Sequence, residues 1–415
     1  MNNVIFMSIQ DFIDFGDLVA NYFATLELSE IAIGILVTLG ICLSIQLFFY
    51  LYYYASVARN GKALKDGNVK HVIKRPPVSI IVVSRYDSEN LAKCLPSILE
   101  QSYPNYEVVV VNDGTTNDTT ILLDNLKKKY SHLRTTYLPE DAKYMSRKKM
   151  CMTVGIKAAF YDYLVFTDSD CVADTRDWLT EIMRNFNEET DLVLGFNHNR
   201  ATDNCETLWQ KFINFDNVFS TIKYMSYAMR GLAYSGTIKN MAYRKEKFFE
   251  NRGFASNLNI EGGEDDIFIT EVSNGTNIAV ETSPNASTSI NKEVTLKSFI
   301  EKKETDLENS EYYPNNVKLR INTEVTTRYL FFLIFITGII YGIVSEEYFV
   351  TSVCGIMGLI RYGVQCYTFI KGAHALGMKG SAFLFTIFEL IIPLATMYVS
   401  TVGQIGKRKL ELWKV

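Results

Sequence analysis

Leu164-Val-Phe-Thr-Asp-Ser-Asp-Cys171 is the stretch on which the reading of the fold turns. An apolar run that ends in turn chemistry reads as a buried parallel strand stopping at a ligand crevice. Asp168 and Asp170, one residue apart at that strand end, are spaced to face one hard cation. Mg²⁺ or Mn²⁺ takes oxygen ligands and usually shares them with substrate phosphates. A solvated polar turn explains a bare D-x-D equally well, so the surrounding sequence has to decide.

Upstream, Val78 to Val83 is a strand entered through Pro76-Pro77, and a helix follows over Asn90 to Gln101. Tyr106 to Asn112 reads as the second strand, ending in Asp113-Gly114. A helix over Thr119 to Tyr130, a strand over Leu133 to Leu138 and a helix over Met150 to Phe160 lead back to the strand Tyr163 to Phe166. This alternation predicts an α/β fold: a wound, mainly parallel sheet with right-handed crossovers and flanking helices. Ligands of such sheets sit beyond the carboxyl ends of the strands. Those ends carry Arg85 and Asp87, then Asp113 and Gly114, then Asp168 and Asp170. A strand-end aspartate such as Asp113 suits a base or ribose, and Gly114 permits a tight turn, as it also does in an ordinary D-G turn. Arg147-Lys148-Lys149 opens the helix before the metal strand. It is placed to neutralise a diphosphate, although a charge run is more often a solvated face.

The region beyond is less regular. Val193 to Phe196 reads as a strand, and residues 205–230 as an aromatic-rich helix whose spacing favours core packing over a sugar-stacking platform. A Gly-bounded loop, Gly231 to Gly236, precedes Asn240-Met-Ala-Tyr-Arg244. Glu264, Asp265 and Asp266 then follow a Gly-Gly turn and open an apolar helix. Helix capping accounts for acids there. The functional alternative is a general base that accepts a proton from an attacking hydroxyl.

The whole chain sets limits. Its 415 residues leave room for two or three domains, and a formal net charge of −4 advertises no nucleic-acid surface. Four scattered histidines argue against a His-based zinc site or a Ser-His triad. Seven dispersed cysteines without a C-x-x-C read as reduced thiols. No Walker Gly-Lys-Ser/Thr occurs, and no G-x-G-x-x-G follows the first strand.

Membrane segments are predicted at both ends. Residues 1–30 form an acidic N-terminal segment, and the uncharged run 31–54 is long enough to cross a bilayer as an anchor. Arg59, Lys62, Lys65 and Lys70 follow, which places the N-terminus outside and the soluble α/β part, residues 71–328, in the cytosol. Residues 329–402 read as a hairpin, Tyr329 to Val344 and Tyr348 to Ile370, plus a third segment over Ser381 to Val402. Arg361 and Glu389 interrupt these runs, and intramembrane charge is a functional-site hypothesis. The tail 403–415 is basic, and four full crossings conflict with the charge rule there.

Together the ordered set PPVSIIVVSRYDSENL (from Pro76), EQSYPNYEVVVVNDGTTNDT (from Glu100), FTDSDC (from Phe166) and GGEDDIF (from Gly262) resembles the membrane-anchored family 2 glycosyltransferases of the GT-A fold. The variant is similar to polysaccharide-related enzymes of Bacteroidetes-type bacteria. The resemblance implies that Asp87 and Asp113 hold the uridine end of a nucleotide sugar. It implies that Asp168 and Asp170 hold Mg²⁺ or Mn²⁺ on the diphosphate, and that Asp265 is the base, with Glu264 and Asp266 alongside. It implies inverting transfer to a glycan or lipid-linked acceptor at the inner membrane. One departure stands out: where polymer-making members carry Q-x-x-R-W, this chain has Phe299-Ile-Glu-Lys-Lys-Glu-Thr-Asp306. Lys302 or Lys303 is left as a point charge where a guanidinium fork is expected. Three rivals follow: a processive polysaccharide synthase, a catalytically silent membrane scaffold and a metal-dependent phosphohydrolase. The last needs a nucleophile or second metal site that the sequence does not offer.

Overall fold

A computed structural model describes residues 28–69, 74–85, 87–114, 117–139, 146–199, 207–258, 260, 262–378, 385–396 and 398. The expectations for the N-terminal segment up to residue 27, for the two ends of the third membrane candidate and for the basic tail lie outside the described residues; between those ends Phe385–Thr396 is a shorter apolar helix. The chain divides into two compact units, Met1–Gln46 with Thr326–Arg361 and Leu47–Val325 with Tyr362–Val415.

The second unit holds the sheet. Its strands are β1 (Val78–Arg85), β2 (Tyr106–Asp113), β3 (Leu133–Leu138), β4 (Tyr163–Asp168), β5 (Cys171–Ala173), β6 (Leu192–Leu194), β7 (Asn197–Asn199), β8 (Met241–Arg244), β9 (Ile278–Val280) and β10 (Thr288–Ile290). The main sheet has the order β3-β2-β1-β4-β8-β6-β9, and β5-β10-β7 form a small second sheet. β1, β2, β3 and β4 run parallel, as their strand–helix alternation requires. Strands covered on both faces read as continuous apolar runs. Accordingly Val78, Ile80, Val82, Val108, Val110 and Val165 are buried in one core with Leu91, Leu95 and Trp178.

Register sets the site. Arg85 pairs with Asp113, and Val83 pairs with Asp168, so the ends of β1, β2 and β4 finish at one edge. β8 pairs antiparallel with β4, Phe166 opposite Met241. The residues that enter β8 therefore lie beside the end of β4. The sequence reading left β8 unassigned, because a four-residue strand flanked by turns carries little periodic signal.

The helix Arg147–Ala158 crosses the sheet next to this edge. It approaches closely because Gly155 has no side chain: a Cβ there would lie 2.7 Å from Ile81 Cγ2 and 2.8 Å from Val111 Cγ2. The helix Leu208–Ala228 turns its aromatic residues inward, as core packing requires. Phe215 packs tilted against Phe369 and edge-to-face against Phe385, at 5.2 and 4.8 Å between ring centroids.

Three helices among the described residues are long and apolar enough to cross a membrane: Glu30–Lys65, Asn315–Val344 and Tyr348–Ala375. The first runs on beyond the predicted anchor, through a π-helical segment, Phe49–Tyr54, to Lys65. The predicted soluble boundary at residue 328 falls inside one helix, since composition changes there and backbone does not. Within the first unit, Arg361 Nη2 donates to Gln46 Oε1 at 3.1 Å, and its guanidinium lies 4.7 Å from the Phe332 ring centroid. Within the second unit, Tyr50 and Gln365 donate to the buried Glu389 carboxylate. Both polar side chains have internal partners, as apolar surroundings demand.

Valine at Gly155 is expected to lower stability by about 1–3 kcal/mol by overpacking the helix against the sheet. Thermal unfolding of the purified variant measures this.

Candidate active site

The helix Arg147–Ala158 points three consecutive cations in three directions, because successive helical residues lie about 100° apart. Arg147 donates from Nε and Nη2 to Asp113 Oδ1, the Nε contact at 2.8 Å. Arg85 adds a longer contact, 3.5 Å to Asp113 Oδ2. Asp113 is buried at the end of β2, and Gly114 beside it takes a φ of +83°, which favours glycine. Lys148 Nζ bridges Asp168 Oδ2 and Glu264 Oε1, each at 3.1 Å. Lys149 is fully buried, and its Nζ donates to the carbonyls of Asn257 and Ile260 at 2.5 and 3.0 Å. It therefore pins the chain leading into the acidic turn and does not face a diphosphate. The expectation for the basic run narrows to Arg147 and Lys148.

The second cation at the end of β4 is Lys239, to which the sequence reading assigned no role. Its Nζ lies 2.6 and 2.8 Å from the two carboxylate oxygens of Asp170 and 3.6 Å from Asp168 Oδ2. Lys239 sits in a short 3₁₀ turn, Ile238–Asn240, immediately before β8. Buried Asn240 anchors that turn: it accepts from Trp178 Nε1 and donates to the carbonyls of Phe196 and Ala286. Only the antiparallel pairing of β8 with β4 brings Lys239 to the aspartates. A lone lysine in a Gly-bounded loop carries no sequence signal of that pairing.

The same turn holds Asp265. Ile238 N–H donates to Asp265 Oδ2 at 3.2 Å, and Asp266 N–H donates to Asp265 Oδ1 at 2.9 Å. The Gly262-Gly263 turn needs positive φ at both residues, and a Cβ on Gly263 would lie 2.6 Å from Ile267 Cδ1. Asp266 turns away, accepting from Tyr313 OH at 3.0 Å and Asn309 Nδ2 at 3.3 Å. Of the three acids, Glu264 shares a lysine with the end of β4, Asp265 shares a turn with Lys239, and Asp266, also expected at the reaction, is placed toward Tyr313 and Asn309. Asp87 accepts from Asn90 Nδ2 at 2.7 Å and from Ser169 Oγ at 3.1 Å, which ties β1 to the D-x-D turn.

Charge follows from these contacts. Burial works against ionising Asp168, but Lys148 and Lys239 outweigh it and hold its carboxyl below the ordinary range. Burial also opposes the charge on Lys148, yet Asp168 and Glu264 keep the ammonium above its usual value. Asp265 is pushed up to about 6 by burial and by the neighbouring Glu264, with Lys148 pulling the other way. Asp266 is raised well above the carboxylate range, by burial first and then by Asp265 and Asp306.

Asp168 and Asp170 offer an all-oxygen donor set gathered around a cation, here the Lys239 ammonium, and so fit Mg²⁺ or Mn²⁺. No group of three or more His, Cys, Asp or Glu placed to hold a metal occurs among the described residues. Two carboxylates suit a cation that draws its remaining ligands from substrate phosphate and water. Lys303, a candidate point charge, is buried and paired with Asp216 at 2.8 Å, so it is not available to a diphosphate. Lys302 is exposed.

Parts of the chain are similar to known proteins. Residues 79–256 match the family model described as glycosyl transferase family 2, and the acidic turn lies beyond that match. Among curated proteins, glycosyltransferase GlyA of Streptococcus pneumoniae is 28% identical over 182 residues, 43% of this chain and 21% of that protein. Poly-beta-1,6-N-acetyl-D-glucosamine synthase of Staphylococcus epidermidis is 28% identical over 97 residues, 23% of this chain and 22% of that protein. The chain thus spans about a fifth of the length of these relatives. Among solved structures, mannosyltransferase PcManGT from Pyrobaculum calidifontis, in complex with GDP-Man and Mn²⁺, superposes with a TM-score of 0.53 at 14% identity, over 89% of this chain and 97% of that one. That likeness is one of fold.

Methionine at Lys149 removes the ammonium donor from the carbonyls of Asn257 and Ile260; the Asn257 oxygen still accepts from the Ile260 N–H, so a loss of about 1–3 kcal/mol is expected for the one group left unsatisfied. The expected outcome is a lowered unfolding temperature, read in detergent against the wild-type chain.

Proposed function

Residues 79–256 are a family 2 glycosyltransferase domain on a GT-A-like mixed sheet, and from that premise we propose metal-dependent, inverting transfer of a sugar from a nucleotide sugar, a UDP-sugar by the reading of Asp87 and Asp113, to a glycan or lipid-linked acceptor at the cytoplasmic face of the inner membrane. One observation carries this reading: Lys148 and Lys239 gather Asp168, Asp170 and Glu264 at one sheet edge, with Asp265 held by the turn that carries Lys239. PcManGT, solved with GDP-Man and Mn²⁺, supports a nucleotide-sugar donor and a divalent ion, and the curated relatives support sugar transfer.

In this mechanism Asp113, oriented by Arg147, faces the nucleoside. Asp168 and Asp170 are the residues that would hold the cation. When bound, that cation offsets the negative charge that builds on the departing nucleoside diphosphate. Lys148, held by Asp168 and Glu264, adds preorganised positive charge to the same place. Asp265 takes the acceptor hydroxyl's proton as its oxygen attacks the anomeric carbon from the face opposite the leaving group. A carboxyl poised near 6 is ionised at neutral pH while still basic enough for this work. The paired, buried Lys303 gives no support to polymer extension, so the reading is of single additions. Product length with a radiolabelled donor distinguishes the two.

The test is a panel of nucleotide sugars screened for metal-dependent release of the nucleoside diphosphate, with Asp265→Asn alongside. Transfer by Asp265→Asn should fall by about 10²- to 10⁴-fold with donor affinity retained. The wild-type rate should drop as pH falls through about 6, because the base is lost on protonation. Glu264→Gln, by removing a like charge, should move that acid limb to lower pH. Near-normal turnover by Asp265→Asn refutes the assignment of the base.

Lys239 occupies the carboxylate oxygens that a cation needs. Lys239→Met is therefore expected to tighten Mn²⁺ binding in the absence of donor, measured by electron paramagnetic resonance of free Mn²⁺. Unchanged or weaker binding rules out competition for that position.

A further inference from the structure

Three arginines from distant parts of the second unit meet at the π-helical segment Phe49–Tyr54. Arg59 belongs to the helix Ala55–Lys65, Arg230 follows the helix Leu208–Ala228, and Arg320 lies in the helix Asn315–Val344. Arg59 Nη2 donates to the carbonyl oxygen of Tyr52 at 3.1 Å, and Arg230 Nη2 donates to the same oxygen at 3.0 Å. The two nitrogens are therefore within about 6 Å of each other, well inside the roughly 8 Å screening length of physiological salt. The Arg230 guanidinium also lies 4.1 Å from the Tyr52 ring centroid. Arg320 Nη1 donates to the hydroxyl of the neighbouring Tyr53 at 3.0 Å.

None of the three forms an ion pair with a carboxylate among the described residues, whereas Arg147, Arg184 and Arg244 each do. Arg230 Nε is buried and has no hydrogen-bond partner. Like charges this close, with no carboxylate beside them, call for an anion. Basic residues after an apolar helix are ordinary topological signals. That rule explains Arg59, but not why Arg230 reaches Tyr52 and Arg320 the adjacent Tyr53. One guanidinium would already satisfy the Tyr52 carbonyl.

The place identifies the anion. Tyr52 is 44% exposed, as are Leu51 at 47% and Phe48 at 48%, on the same apolar helix. Aromatic residues at the polar end of such a helix mark the headgroup level of a bilayer. Guanidinium forks match phosphate oxygens two at a time. π-Helical segments are frequent at functional sites. We propose that Arg59 and Arg230, with Arg320 beside them, bind the phosphate group of an anionic phospholipid at the polar end of the first apolar helix. This inference goes beyond sugar transfer and needs only that the helix Glu30–Lys65 meets a membrane.

The experiment is native mass spectrometry of the full-length chain in detergent, titrated with phosphatidylglycerol or phosphatidylcholine. The wild type is expected to retain phosphatidylglycerol in preference. Arg59→Gln/Arg230→Gln should lower that retention by roughly 30-fold, the loss expected for two basic contacts with anionic lipid, and leave phosphatidylcholine unchanged. Arg59→Lys/Arg230→Lys, which keeps the charge and loses the fork, should fall between. If the glutamine pair does not fold, single Arg59→Gln, an exposed position, carries the comparison with a smaller expected loss. Equal retention of both lipids by the wild type, or of phosphatidylglycerol by wild type and variants, overturns the site. So does inorganic phosphate that displaces phosphatidylglycerol at equal concentration, since the site would then be one for a free anion. Nucleoside diphosphate release is read in parallel: its absence in the wild type counts against the transfer reading and leaves the lipid result to stand or fall alone.

Discussion

Acids collected at one sheet edge repel one another, and burial makes the repulsion worse. The site exists because two lysines stand between them. Lys148 links Asp168 to Glu264, and Lys239 links Asp168 to Asp170. Without those ammonium groups, several carboxylates in a region of low dielectric would take up protons or part company. With them, the Asp168 carboxyl is held in its charged form and the acids stay together. The same positive charge is what a departing diphosphate needs, so the interactions that hold the site are suited to its chemistry.

Each lysine depends on a separate piece of packing. Lys148 is placed by a helix that Gly155 lets down onto β1 and β2. Lys239 is placed by β8, the one strand antiparallel to β4 in the main sheet, and by Asn240, whose three hydrogen bonds fix the turn. Asp265 is tied to that turn through the Ile238 amide. These side chains are therefore held by a helix, a strand pairing and a hydrogen-bonded turn, the kind of support that electrostatic preorganisation needs.

Much of this was legible beforehand. Parallel strands buried on both faces announce themselves as apolar runs, so β1 to β4 could be read with their order of helices and their acidic ends. Gly-Gly before three acids marked the second half of the site. Other features gave little signal. The short strands β8, β9 and β10 have too few residues to show a period of two. In the basic run, three adjacent cations look alike in sequence, yet the helix sends Arg147 to Asp113, Lys148 to Asp168 and Lys149 to backbone carbonyls. Asp266 looked like its neighbours and turned out to face Tyr313.

By itself, the sequence determined the wound sheet, the acids at its strand ends and the three long apolar helices, because each follows from local periodicity and from residue chemistry at an element's end. Tertiary structure alone decided which cation meets which acid. A salt bridge between residues as far apart as Lys239 and Asp170 depends on strand direction and register. Those are set by packing across the whole sheet and leave no trace in the residues that form the pair.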